Sequence, residues 1–354
     1  MAPYTDETGP GRPGEELDAP RLESYLQARL GAGGPLAIEQ FPHGHSNLTY
    51  LVRWGGKEMV LRRPPFGNQV KSAHDMGREY RVLSRLCEVY PPAPRPYLYC
   101  EDDCVLGAPF YLMERRHGIV LRRRLPGDMR LDPDLVRRLC VALIDNLAAL
   151  HALDYKAAGL SDLGKPEGYV ARQVTGWINR YQNARTDDLP AMDRLAPWLL
   201  ERMPKESSAA IIHNDYKFDN VMLDPADLTR IVAVFDWEMA TVGDPLMDLG
   251  SSLGCWVVAS DPPSLQESAI GPTDMEGSMT RQELVERYAQ SSGRDVSNML
   301  FYYCFGLYKF AVIVQQIYAR YARGFTKDER FARFNERVRM ISEEGLRALE
   351  SGNV

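Results

Sequence analysis

The polar and apolar positions of this 354-residue chain fall into two regimes. In the first third, apolar residues alternate over short runs, the two-residue period of half-buried strands; beyond about residue 115 they recur every three or four positions, the period of amphipathic helices. Residues 48–54 and 58–62 read as two strands. Gly55-Gly56 between them suits a tight hairpin turn, because glycine takes positive φ without a Cβ clash. Helices are predicted over 18–30, ended by Gly31-Ala32-Gly33-Gly34, and over 74–89, with Tyr80, Leu83 and Leu86 on the apolar face. Residues 91–96 read as a stiff proline connector and 105–113 as a further strand. Helical patterns then cover 131–153 and 190–204. A small hairpin spans 220–236 with its turn at Asp224-Pro225-Ala226-Asp227, and helices fill the remainder. Residues 1–18, rich in Gly, Pro and acidic side chains, are expected to form a flexible arm. The chain is therefore read as α+β, with a small β-rich N-lobe at 19–115 and a larger helical C-lobe at 116–354.

Composition narrows the function classes. Hydrophobic residues at 45% and charged residues at 25% are the balance of an ordinary globular protein. A net charge of −6 with no long basic tract argues against nucleic acid as a partner. The run Arg122-Arg123-Arg124 reads as a solvated helix face. Of six cysteines only Cys100 and Cys104 lie close together, and no second pair at zinc spacing follows, so the thiols are expected to be reduced ones in a cytoplasmic protein. The first residues lack the charged and apolar regions of a signal peptide. The most apolar stretch, 299–321, is interrupted by Tyr, Lys and paired Gln, so no membrane contact is expected. Monomer and homodimer both remain open.

The chemistry concentrates in one segment. His213-Asn214-Asp215-Tyr216-Lys217-Phe218-Asp219-Asn220 has the His, Asp and Asn spacing of a kinase catalytic loop. Phosphoryl transfer needs a carboxylate within reach of the attacking hydroxyl and a separate oxygen ligand for Mg²⁺; a five-residue loop can present Asp215 for the first and Asn220 for the second. The hairpin that follows delivers Phe235-Asp236-Trp237-Glu238, with Asp236 after an apolar strand as a second oxygen ligand for a hard cation. Lys217 is placed to meet charge developing on the transferred group. Any one of these pieces occurs in ordinary loops, and an Asp after a strand often caps a turn. Their order, behind a β-rich lobe, is what carries weight, with the oxygens of residues 215, 220 and 236 expected around a single cleft.

The segment 213–250 resembles the aminoglycoside phosphotransferase and choline kinase superfamily. It is most similar to the branch that also occurs as kinase-like domains fused to acyl-CoA dehydrogenases, through Asp236-Trp237-Glu238 and Gly243-Asp244-Pro245-Leu246-Met247-Asp248-Leu249. The likeness runs from about residue 37 to 340. It implies a two-lobed protein-kinase-like fold, ATP and Mg²⁺ as cofactors, and transfer of the γ-phosphate to a hydroxyl of a small molecule. It further implies a nucleotide loop at His43-Gly44-His45-Ser46-Asn47, a departure from the glycine-rich kinase loop in having only Gly44. Arg62 stands at the strand position usually held by Lys, where its planar fork can still pair with phosphate oxygens. Glu79 is its implied ion-pair partner, and Met113-Glu114-Arg115 the hinge whose backbone reads adenine. Asp244 and Asp248 are taken as structural, fixing the segment after the metal loop, and His151 as a buried packing residue.

The acceptor pocket is expected between the catalytic loop and the C-terminal helices, with Glu238, Arg172, Trp177, Tyr303 and Lys309 as candidate contacts. An aminoglycoside would call for many carboxylates facing its ammonium groups. These helices mix aromatic, Lys and Arg residues instead, which favours a hydroxy acid or hydroxyacyl thioester, as the fused relatives also suggest. The alternatives are an aminoglycoside-type antibiotic kinase, a nucleotide-binding regulator without turnover, or helices whose aromatics are simply core.

Overall fold

A computed structural model describes residues 8–42, 47–66, 75–125, 129–205, 208–267 and 269–354. Along the first third lie α1 (Ala19–Leu30), β1 (Ala37–Gln40), β2 (Leu48–Trp54), β3 (Lys57–Arg63), α2 (Met76–Leu86), β4 (Pro96–Cys100), α3 (Asp103–Leu106) and β5 (Phe110–Glu114). There follow α4 (Pro133–His151), α5 (Tyr169–Ala184), α6 (Pro190–Glu201), β6 (Ala210–Ile212), β7 (Val221–Leu223), β8 (Ile231–Val234) and β9 (Thr241–Gly243). Then come α7 (Pro245–Gly254), α8 (Pro263–Glu267), α9 (Arg281–Ser292), α10 (Met299–Ala322) and α11 (Phe334–Ser351). Two compact units result, one of residues 1–120 with 221–240, the other of 121–220 with 241–354.

The first unit is built on an antiparallel sheet in the order β1-β2-β3-β5-β4. Gly55 and Gly56 both take positive φ, 59° and 73°, so the hairpin turn is the one their lack of a Cβ allows. It sets a register in which Leu48 faces Arg63 and Trp54 faces Lys57. Alternation then sends Leu48, Tyr50, Val52 and Trp54 to one face, where they bury against Leu22 and Leu26 of α1 and Phe110 and Leu112 of β5. Each such side chain contributes about 1.5–3 kcal/mol of transfer free energy. Arg63 is buried too and donates to the Leu106 carbonyl at 3.0 Å, on the face opposite its neighbour Arg62. The hairpin β7–β8 belongs to this unit: Ile119 bridges to Leu223, Val234 N–H donates to the Pro92 carbonyl at 2.8 Å, and Val120, Met222 and Ala233 share a cluster.

Three local expectations change. Residues 105–113 are not one strand: Asp102 caps Cys104 N–H, one turn of helix forms, and Gly107 at φ 78° breaks it before β5 begins. The proline connector is shorter than expected, since Pro96 already pairs with Met113. Residues 8–18 are tied down rather than loose. Gly9 and Gln40 exchange backbone hydrogen bonds at 2.9 and 2.7 Å, and Tyr50 donates to the Glu15 carbonyl at 2.6 Å.

The second unit is helical apart from the β6–β9 pair. Its axis is α10, which packs on α5, α6, α7 and α11. That helix is long and apolar enough to cross a membrane, yet 72% of its apolar window is buried inside the fold, as for a core helix. It comes very close to α7: a Cβ on Gly306 would lie 2.0 Å from the Gly250 carbonyl oxygen. The run Arg122-Arg123-Arg124 is not helical; Arg123 pairs with Asp274.

Candidate active site

In the second unit, β6 pairs with β9 and ends at Ile212, and the next residues form the catalytic-pattern loop. The loop is held by its backbone. Asp248 of α7, fully buried, accepts the His213 N–H on Oδ2 at 2.6 Å and the Asn214 N–H on Oδ1 at 2.7 Å, while His151 Nε2 lies 3.1 Å from the same Oδ2. Burial alone would raise the Asp248 carboxyl, but the hydrogen bond from His151 and the attraction of both histidines hold it below the usual carboxylate range. Asp248, expected to fix the segment after residue 236, holds the start of the 213–220 loop instead through its hydrogen bonds. His151 is the buried histidine expected, completed by Tyr288 Oη at 2.7 Å from Nδ1. Asp244 caps α7 through Leu246 N–H at 2.8 Å and accepts Tyr302 Oη at 3.0 Å.

So held, Asn214 sits at φ 67°, a left-handed conformation costly for a residue with a Cβ. Its carbonyl accepts Lys309 Nζ at 2.9 Å, and that ammonium also reaches Ser251 Oγ at 3.3 Å. Lys309 is buried, and desolvation lowers its pKa. Immediately after the strained residue, the Asp215 carboxylate is flanked on two sides. Lys217 Nζ lies 2.7 and 2.8 Å from its two oxygens, and Asn220 Nδ2 donates to Oδ2 and to the Asp215 carbonyl, both at 2.8 Å. Burial alone would lower the Lys217 pKa, but Asp215 outweighs it and the ammonium stays charged. With its amide nitrogen committed twice to Asp215, Asn220 has its carbonyl oxygen as the remaining ligand atom, which fits a hard cation. Tyr216 anchors the far side of the loop by donating to the Leu143 carbonyl at 3.1 Å.

In the first unit, Arg62 of β3 is buried between two carboxylates: Nη1 lies 3.1 Å from Glu79 Oε1 and Nη2 lies 3.0 Å from Asp236 Oδ1. Burial pulls its pKa down, but Glu79, Tyr111 and Asp236 more than offset this, so the guanidinium is firmly charged. Glu79 Oε1 also accepts the Trp237 N–H at 3.1 Å, so α2 holds both the arginine and the turn that carries Asp236. That turn is strained, with Asp236 at φ 66°. Among the described residues, Asn214 and Asp236 are the two non-glycine positions with positive φ, and each belongs to a predicted catalytic segment.

Of the remaining candidates, Asn47 donates to Glu238 Oε2 at 2.7 Å, pairing a residue expected in the nucleotide loop with one expected at the acceptor. Gly44, His45 and Ser46 lie outside the described residues. Met113 and Glu114 close β5, and Arg115 stacks on Phe41 with Cζ 4.6 Å from the ring centroid. Trp177 is buried between Arg180 and Lys309. Two acceptor candidates are corrected. Tyr303 is fully buried, donates to Glu344 Oε1 at 3.3 Å and lies under Arg281, so it belongs to the core of the helical unit. Arg172 uses its guanidinium on the Lys165 and Glu167 carbonyls at the start of α5. Sequence reading missed Asp219, largely buried in the loop with its pKa raised by desolvation and Oδ1 unpaired; its place inside the 213–220 motif was the available signal.

A strained loop with Asp, Lys and Asn clustered on one carboxylate, in a chain with a five-stranded unit and a helical unit, defines a kinase-like phosphotransferase. Residues 37–280 match the phosphotransferase enzyme family, and the chain belongs to it. Acyl-CoA dehydrogenase family member 10 of Mus musculus is 34% identical over 321 residues, covering 90% of this chain and 30% of that protein. The chain spans less than half the length of the curated relatives it matches. A crystal structure from Ralstonia eutropha, provisionally assigned as an aminoglycoside phosphotransferase, is 33% identical with a TM-score of 0.79, covering 95% of this chain and 99% of that one. An aminoglycoside phosphotransferase solved as a ternary complex with ADP and hygromycin B shares the fold at 17% identity and a TM-score of 0.56, covering 90% of this chain and 98% of its own.

Proposed function

We propose that this chain is an ATP- and Mg²⁺-dependent kinase that transfers the γ-phosphate to a hydroxyl of a small molecule. The observation that supports it best is the Asp215 carboxylate, braced by Lys217 and Asn220 directly after a left-handed Asn214. In this reading Asp215 orients the acceptor hydroxyl and accepts its proton. Lys217 neutralises charge on the transferred group, and Arg62, kept in place by Glu79, exchanges Asp236 for a phosphate oxygen when nucleotide binds. Asn220 and Asp236 ligate the metal, which when bound supplies charge neutralisation across the nucleotide phosphates. Asn47 and the preceding loop contact the phosphates, and the backbone of Met113, Glu114 and Arg115 reads the adenine edge.

The acceptor we infer is a hydroxy acid or hydroxyacyl thioester. The name of the acyl-CoA dehydrogenase relative supports an acyl acceptor. The cationic and aromatic side chains Lys309 and Trp177 beside the loop suit an anionic or partly apolar molecule better than a polycation. The test is ADP formation over a panel of hydroxy acids, hydroxyacyl thioesters and aminoglycosides. Asp215→Ala should lower kcat by about 10²–10⁴-fold while sparing ATP binding, and Asp236→Ala should weaken Mg·ATP binding as well. Full activity in either variant, or ATP binding with no turnover on any acceptor, would sink the reading, the latter in favour of a nucleotide-binding regulator.

A further inference from the structure

A groove of ≈ 270 Å³ on the helical unit is lined by Arg180 and Asn183 of α5, by Gln316 and Arg320 of α10, and by Arg323 and Phe325 just beyond α10. Among the described residues no carboxylate lines it. That is unusual for this chain, whose net charge is −6 and whose nearby arginines are mostly neutralised: Arg185 by Asp188 and Asp193, Arg330 by Asp328, Arg333 by Glu336. Two of the groove arginines are held without being neutralised. Arg323 donates to the Asn183 and Arg185 carbonyls at 3.0 and 3.4 Å, and Arg180 lies 4.7 Å from the Trp177 ring centroid. Among the described residues neither Arg180 nor Arg320 has a carboxylate partner. Phe325, 74% exposed, forms an apolar rim. Three guanidiniums without a carboxylate partner among the described residues, with amide donors beside them, form a site for phosphate or carboxylate oxygens.

The groove is also in line with the catalytic loop. On α10, Lys309, Gln316 and Arg320 follow a spacing of seven and four residues, one stripe of the helix that Arg323 continues just beyond its end. On α5, Trp177, Arg180 and Ala184 do the same. Trp177 links the two rows, touching Arg180 on one side and, at 5.9 Å, Lys309, whose ammonium bonds to Asn214 of the loop. Eleven and fourteen residues from Lys309 put Arg320 and Arg323 about 16–21 Å along the helix direction.

We propose that this groove is an anion subsite that receives the charged end of the acceptor, a phosphate or carboxylate carried far from the reacting hydroxyl, about 16–21 Å along α10 from Lys309. The acceptor assignment rests on the kinase reading of Asp215; anion binding itself does not. The test places a trifluoromethyl-phenylalanine at position 325 of the full chain and follows its fluorine resonance during titration with inorganic pyrophosphate in Mg²⁺-free buffer, with sodium chloride at matched ionic strength as the control. A saturable shift with pyrophosphate alone is expected, weakened about tenfold or more by Arg320→Glu and largely kept by Arg320→Lys. No such shift, or one unchanged in Arg320→Glu, overturns the site. In kinetics, Arg320→Glu should raise KM about tenfold for long acceptors bearing phosphate or carboxylate, leave kcat in place, and leave neutral acceptors unaffected. Equal KM values would overturn the link to the acceptor. Absence of turnover by the unaltered protein on every acceptor would count against the kinase reading, and the groove would then stand or fall on the fluorine titration.

Discussion

Asn214 has no glycine's freedom, and its φ of 67° persists only because partners on both sides of its peptide over-determine it: Asp248 takes the N–H and Lys309 the carbonyl. Both partners are buried, so neither is loosened by water. Replacing Lys309 by Met keeps the stem and removes the charged donor. Releasing one such bond is worth about 1.5–3 kcal/mol, so kcat should fall roughly tenfold to a hundredfold while KM for ATP holds; steady-state kinetics in ATP checks this, and an unchanged kcat would show the clamp to be idle. The Asp248 carboxyl is held below its unfolded value, so its contribution to stability is present above the ordinary carboxylate pKa and is lost as pH falls through the folded one. Asp248→Asn should therefore cost about 2–4 kcal/mol near neutrality and flatten the acid limb of stability against pH, measured by urea unfolding across a pH series. The spacing of His213, Asp215 and Asn220 was legible because it is local. The role of Lys309 was not, since its partner is a backbone carbonyl 95 residues away and nothing in the residue type names a carbonyl as its target.

What brings Lys309 to Ser251 and the loop is the crossing of α7 and α10. A Cβ at Gly250 would lie 2.2 Å from the Tyr302 carbonyl oxygen, and one at Gly306 would lie 2.0 Å from that of Gly250, so the two backbones touch where no side chain intervenes. Gly306 is one turn before Lys309 on the same stripe, and Gly250 is next to Ser251. Gly306→Ala must push the helices apart, because the atom in the way is backbone rather than the end of a flexible side chain. The expected cost is about 1–3 kcal/mol or more, seen as a fall in Tm of about 2–8 °C, together with a loss of kcat from the displaced ammonium. A variant that melts and turns over like the original would refute the close crossing. Helical periodicity announces α10 but not the purpose of Gly306, which depends on a partner 56 residues earlier. The misread strand over 105–113 has a different cause. Only its ends, Val105-Leu106 and residues 110–113, are apolar strand-like runs; between them Gly107-Ala108-Pro109 breaks the strand, and the short helix forms through the cap from Asp102 and the left-handed Gly107.

The division of the whole chain was the hardest feature to read, because composition shifts only once, near residue 115, while the fold returns. The unit containing the five-stranded sheet includes residues 221–240, carried back by the Ile119–Leu223 bridge, the Val234–Pro92 hydrogen bond and the edge-on packing of Tyr90 against Trp237 at 6.0 Å. Glu79 and Arg62 are the most exacting part of that unit, being buried charges whose remaining partners, the Trp237 N–H and the Asp236 carboxylate, arrive only with the returning hairpin. A linear cut at residue 120 would strip both, leaving an arginine–glutamate pair short of its hydrogen bonds in an apolar setting, at a cost of about 3–5 kcal/mol, a large share of a small domain's stability. Residues 8–120 alone should accordingly show no cooperative thermal transition by circular dichroism. The same segment joined to 221–240 by a short Gly/Ser linker should regain one, because loop closure through a flexible linker costs little beside the restored pair and the buried Trp237. If residues 8–120 melted cooperatively without the hairpin, the Arg62 ion pairs would not be what holds this unit together, and the constraint on Asp236 would have to come from elsewhere.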